Sequence, residues 1–252
     1  MRVEVFFTPH QVEELYFREK RVVVVDVLRA STTIATALYN GAKEIIPVAT
    51  VESAMEIVGN LDGDVTLLGG ERDGKMIEGF HLGNSPLEYV EERVRGKSIV
   101  LTTSNGSQAI LKARHAREMS VLGFVNISVI ESVVREGEGD LVILCAGHDG
   151  FFSMEDAVCA GMLIHRLVDG SKAEMELGDA GIASVALYKN QGKSILKMLR
   201  NSEHGKYLDE IGFRNDLEAC AAADAMPVVP QFLGNVVKLK KDSESIKISI
   251  PT

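Results

Sequence analysis

What most constrains this chain is a series of short runs that are apolar on both faces and are separated by helical stretches. The runs are VEVFF (3–7), RVVVVDV (21–27), EIIPV (44–48), VTLLG (65–69), SIVLTT (98–103), EMSVLG (118–123) and DLVILCAG (140–147). A strand with one wet face alternates polar and apolar residues. Runs such as VVVV do not, so both of their faces must be covered. Amphipathic or Ala-rich segments lie between them, at 31–40, 51–59, 86–94, 105–115, 126–135 and 153–168. This pattern predicts an α/β fold with a mainly parallel or mixed sheet and helices on both faces. Residues 171–222 are helical in character, with AGIASVALYK and KSILKMLR as the clearest pieces. PVVPQF and NVVKLK read as edge strands, because proline suits an edge. No repeat or linker forces a cut, so residues 1–252 read as a single domain.

In such sheets ligands bind where the carboxyl ends of strands meet helix starts, and three of these junctions are unusually polar. Asp26 closes the valine run, and Arg29 follows just before a helix that Ser31 or Thr32 would cap. An arginine offers a planar fork for phosphate or carboxylate, although a turn aspartate with a surface ion pair would leave the same residues. At 98–109, TTSNGS precedes a helix. Its many donors and small side chains suit an anion held by backbone amides, and a helix cap alone would need only one of them. At 141–157, Ser153 and Asp156 have the spacing of a capping box. That leaves Glu155 unexplained, and His148 and Asp149 read equally as turn or catalytic residues.

Other chemistries lack their signatures. Gly69-x-x-x-x-Gly74-Lys75 resembles a phosphate loop until Met76, where a Ser or Thr should hold magnesium. What remains there is a long Gly-punctuated loop carrying Glu71, Arg72, Asp73, Lys75, Glu78 and His81. It ends in a helix start at Ser85-Pro86, with Glu88 closing the box. No Asp-x-Asp follows the first strand, no G-x-G-x-x-G follows any strand, and no His/Cys cluster has zinc spacing. A metal, if used, should therefore be held by oxygen. The three cysteines are too few and too scattered for a disulfide framework. Net charge is −9 with no basic stripe, which argues against nucleic acid. No run is long enough for a membrane span and the N-terminus lacks secretory character, so a cytoplasmic protein is expected.

Taken together, VVVVDVLRASTTIATAL, GGERDGKMIEGFHLGNSPLEY, IVLTTSNGSQAI and CAGHDGFFSMEDAVCAGML, in this order, resemble the 2-phosphosulfolactate phosphatase family. SEHGKYL and GFRNDLEACAAAD, around His204 and Asp216, fit its C-terminal pattern. The resemblance implies a magnesium-dependent phosphatase that converts 2-phospho-3-sulfolactate to sulfolactate, a step toward coenzyme M. Its partner would be a small anionic phosphoester, and a homodimer is compatible with a chain of this size. Carried over by motif, Asp26, Arg29 and Glu71 are expected to be catalytic. Arg72, Asn84, Thr103, Ser104, Asn105, Gly106 and His204 are expected to bind substrate, and Asp26, Glu71 and Asp156 to hold Mg²⁺. Arg29, Arg72 and Lys75 would supply local positive charge. Attack by a metal-activated water and attack by Asp26 itself both stay open, as does a non-catalytic phospho-ligand binding module built on the same helix starts.

Overall fold

The computed structural model describes residues 1–59, 65–169 and 175–240. The strands are β1 (Arg2–Phe6), β2 (Arg21–Val25), β3 (Glu44–Pro47), β4 (Thr66–Arg72), β5 (Lys75–Met76), β6 (Ser98–Thr102), β7 (Glu118–Leu122), β8 (Leu141–Cys145), β9 (Glu176–Leu177), β10 (Pro230–Leu233) and β11 (Val236–Leu239). Among the described residues they form one sheet in the order β5-β4-β6-β3-β11-β10-β7-β2-β8-β1-β9. The helices are α1 (Ala30–Tyr39), α2 (Val51–Gly59), α3 (Glu91–Val94), α4 (Gly106–Lys112), α5 (Ile127–Glu136), α6 (Met154–Asp169), α7 (Asp179–Gln191), α8 (Ile195–Asn201), α9 (Glu203–Glu210) and α10 (Arg214–Ala221). None of them is long and apolar enough to cross a membrane.

The valine run does what its pattern predicts. Val23 and Val25 enter one core, against Ile130 of α5, Leu163 of α6 and Leu217 of α10. Val22 and Val24 enter the other, against Ile34 and Leu38 of α1 and Ile110 of α4. Strand β2 lies between β7 and β8, parallel to both. The predicted α/β fold with helices on both faces is therefore present.

The C-terminal hairpin departs from the expectation. β10 and β11 are not edge strands. They lie in the interior of the sheet and join two parallel blocks, β4-β6-β3 and β7-β2-β8-β1-β9, through antiparallel bridges at Gln231↔Ser120 and Val237↔Ile45. Gly234 and Asn235 both have positive φ, which suits a two-residue turn between twisted strands. Pro230 opens β10, the one place in a strand where its missing N–H costs little. The true edges are the two-residue strands β5 and β9, too short to template pairing with another chain.

Four smaller corrections concern the loops and helices. β4 runs to Arg72 and turns at Asp73-Gly74 into β5, so the long loop begins as a hairpin. The helix expected over 86–94 is a 3₁₀ turn at Pro86–Glu88 followed by the short α3. Glu88 accepts from the N–H of Gly83 at 2.7 Å instead of closing a box on Ser85. The stretch expected to be helical over 171–222 contains β9, and residues 170–174 lie outside those described.

Candidate active site

The two central junctions share one device. At the end of β2, the Asp26 N–H donates to Ser31 Oγ at 2.9 Å, and Asp26 Oδ1 accepts from the Ala30 N–H at 3.1 Å. The aspartate, not Ser31, thus caps α1, as a carboxylate at a helix N-terminus should. At the end of β6, the Thr103 N–H donates to Ser107 Oγ and the Ser107 N–H to Thr103 Oγ1, both at 2.9 Å. Gly106 lets the two junctions meet. A Cβ there would press on the Cβ of Ala30 and lie 2.5 Å from Asp26 Oδ2. Gly106→Ala should therefore push the Asp26 carboxylate aside while costing about 1–3 kcal/mol of stability. A displacement near 1 Å lowers kcat roughly 10²-fold. Turnover measured alongside a melting curve checks this, and wild-type kcat would show that the carboxylate can move freely.

Glu71, near the end of β4, ties the third element in. Its Oε1 accepts from the Ser104 N–H at 2.7 Å, and its Oε2 accepts from the Gly74 N–H at 2.8 Å and from Ser104 Oγ at 3.2 Å. The amides of Thr103 and Ser104, expected to meet an anion, are thus taken by Ser107 and Glu71. Arg29 is buried, not a surface residue. It makes a 2.7 Å ion pair with Asp216 of α10, donates to Gly74 O, and lies 4.3 Å from the centre of the Phe213 ring. Asp216 also accepts from Ser85 Oγ at 2.7 Å.

These elements enclose a cavity of about 280 Å³ lined by Asp26, Arg29, Glu71, Asn84, Thr103, Ser104, Asn105 and His204, all singled out by the sequence. Asp73, Gly74, His148, Asp149 and Tyr207 complete its wall. Gly106 supports it from behind through Asp26. The remaining expected residues do not reach it. Arg72 turns back onto its own chain, donating to Glu71 O at 2.7 Å and Thr102 Oγ1 at 3.1 Å. Lys75 is exposed on β5. Asp156 is a structural carboxylate: Oδ1 accepts from the Val27 N–H at 2.8 Å and Oδ2 from the Gly147 N–H at 3.1 Å, which joins two loops behind the cavity. Nothing in the local sequence around Tyr207, whose hydroxyl donates to Asp73 O at 2.9 Å, distinguishes it from an ordinary helix residue. Asp73 and Asp149 both have positive φ, and the Asp149 N–H donates to Asn105 Oδ1 at 3.1 Å.

Charge is concentrated at the floor. Burial pushes the Asp26 carboxyl up to about 6; the charge of His204 and the Ala30 amide oppose the shift, and the charges of Glu71 and Glu155 add to it. Burial also opposes ionisation of Glu155. The His204 ring, its Nδ1 3.6 Å from Oε1, outweighs the penalty and holds the carboxyl below the usual range. Burial, then the charges of Asp26 and Glu155, raise the Asp156 carboxyl. The cavity is therefore lined by four carboxylates (Asp26, Glu71, Asp73, Asp149) against one guanidinium that is already paired. Two side-chain atoms in this wall, Asn84 Oδ1 and His148 Nδ1, are buried without a hydrogen-bond partner. Such atoms are costly unless a ligand meets them.

A sequence model described as 2-phosphosulpholactate phosphatase matches residues 6–235. A protein of Caldanaerobacter subterraneus subsp. tengcongensis, named as a probable 2-phosphosulfolactate phosphatase, is 39% identical over 242 residues, covering 96% of this chain and all of that one. Proteins of the same name from Thermotoga maritima and Clostridium beijerinckii are 40% and 34% identical, covering 88% and 92% of this chain and 93% and 97% of their own lengths. The match takes in every junction that builds the cavity, and by it the chain belongs to the 2-phosphosulpholactate phosphatase family.

Proposed function

We propose that the protein hydrolyses the phosphate monoester of 2-phospho-3-sulfolactate to sulfolactate and phosphate with the help of Mg²⁺, a step toward coenzyme M. The observation that carries this reading is the charge of the cavity. A substrate bearing phosphate, carboxylate and sulfonate meets a wall of four carboxylates, one paired guanidinium and two imidazoles, and a cation entering with it would offset the repulsion. The donor set fits a hard cation. No protein donor among the described residues takes Asp26 Oδ2, and Asn84 Oδ1 is a buried acceptor without a partner. Among the described residues no three His, Cys, Asp or Glu side chains form a ready cage. Magnesium needs none, because it binds through one or two carboxylates plus substrate oxygens and keeps several waters.

In this reading Asp26 and Asn84 hold the ion. Glu71, its oxygens already taken by Ser104 and Gly74, adds charge and fixes the loop, and Asp156 takes no part. The ion supplies Lewis-acid neutralisation of phosphoryl charge. Arg29 brings the protein's own positive charge to the wall.

Purified protein incubated with 2-phosphosulfolactate should release inorganic phosphate. EDTA should abolish the release and excess Mg²⁺ restore it. Calorimetric binding of the ester with no phosphate release under any metal condition would replace the enzyme with a binding module.

A further inference from the structure

Hydrolysis of an alkyl phosphate leaves a poorly stabilised alkoxide, and a side chain that protonates this oxygen as the ester bond breaks removes most of that difficulty. Few groups in the cavity wall can do so. Arg29 does not release protons at any working pH. The oxygens of Glu71 are occupied by N–H and O–H donors, and the Tyr207 hydroxyl donates to Asp73 O. Asp149 is largely exposed, and it is the carboxylate that His148 meets, 3.7 Å from its Nε2.

His204 is set differently. It sits at the start of α9, which Ser202 caps by accepting from the Gly205 N–H at 3.1 Å. Its Nδ1 lies 3.6 Å from Oε1 of Glu155, and the two side chains are 14% and 3% exposed. Glu155 is on α6, so two helices fix the pair. The ring also stacks on His148, with centroids 4.3 Å apart and planes inclined by 26°. A buried carboxylate facing one ring nitrogen fixes the orientation of the imidazole, and the residue lines the cavity.

We propose that His204 is the general acid of the reaction and that Glu155 is the residue that positions it. This deepens the phosphatase reading and rests on it. As the bond between phosphorus and the ester oxygen breaks, its electron pair goes to that oxygen, which takes the proton from the imidazolium of His204. Attacking water forms the new P–O bond. The products are the free hydroxy acid, dihydrogen phosphate and neutral His204, and a proton lost by the phosphate recharges the ring. Glu155 and His148 flank the His204 ring.

The test compares leaving groups. Phosphoglycolate leaves as an alkoxide that needs the proton, whereas p-nitrophenyl phosphate leaves as a stable phenolate that does not. His204→Gln should lower kcat on phosphoglycolate roughly 10²–10³-fold and on p-nitrophenyl phosphate far less. Glu155→Gln should move the same ratio in the same direction by a smaller factor, which a merely structural role would not do. Equal losses on both esters would overturn the proposal while leaving the phosphatase reading intact. Turnover of neither ester or of 2-phosphosulfolactate by the wild type would overturn that reading, and the proposal with it. If neither variant folds, the wild type decides alone across a series of alkyl and aryl phosphates. A shallow dependence on leaving group supports the proposal, and a steep one overturns it.

Discussion

Asp26→Asn is expected to lower phosphate release by roughly 10³-fold while leaving the metal-free protein at least as stable as the wild type above pH 6. The activity loss follows from removing a buried carboxylate oxygen in the cavity that no donor among the described residues takes. The stability gain follows from linkage. The folded protein holds the Asp26 proton up to about pH 6, whereas the unfolded chain releases it near 3.8. The folded state therefore binds more protons between these values, and stability falls as pH rises through that window. At 1.36 kcal/mol per pH unit the loss above pH 6 amounts to about 3 kcal/mol. Asparagine keeps an acceptor for the Ala30 N–H and carries no charge to desolvate. Melting curves in EDTA should consequently show a flatter dependence between pH 4 and 6 for the variant, and a higher Tm at pH 7.5. Mg²⁺ should raise the Tm of the wild type and leave that of the variant unmoved. A large drop in the variant's Tm at pH 7.5 would make Asp26 a structural residue and remove it from the chemistry.

Features set by neighbours in sequence were legible, and features set by distant partners were not. The valine run at 22–25 has no polar position to turn toward water, so its burial on both faces followed from the residues alone. Asp26 stood out as the first polar residue after that run, and TTSNGS as more donors than a cap requires. Asp156, expected on the metal from the resemblance, has its two carboxylate oxygens taken by the amides of Val27 and Gly147, and no spacing along the chain announces those partners. Arg72 and Lys75 flank the Asp73-Gly74 turn that reaches the cavity wall, but the Arg72 side chain goes to Glu71 O and Thr102 Oγ1 and Lys75 is exposed. Prolines at 227 and 230 suggested a sheet edge. Proline excludes only a needed N–H, and the first position of β10 needs none.

Arg29 gives the second large effect, and its partner was the hardest to foresee, since Asp216 lies 187 residues away. Both side chains are 2% exposed. Removing the guanidinium leaves Asp216 buried with Ser85 Oγ as its one side-chain donor among the described residues, and breaking such a pair from one side costs about 3–5 kcal/mol. Arg29→Ala should thus lower Tm by roughly 10 °C in a chain of this size. Arg29→Lys keeps the charge, but a single ammonium cannot span Asp216 and Gly74 O while covering the Phe213 ring. It should lose roughly 10–100-fold in kcat/KM, equivalent to about 1.5–3 kcal/mol. Adding Asp216→Ala to Arg29→Ala separates the two roles of this residue. With no buried charge left behind, the double variant should recover most of the lost Tm. Its activity should stay low, because the guanidinium in the cavity wall is gone. Recovery of both stability and turnover would mean that Arg29 only neutralises Asp216. In that case the positive charge that meets the substrate would have to come from the cation alone.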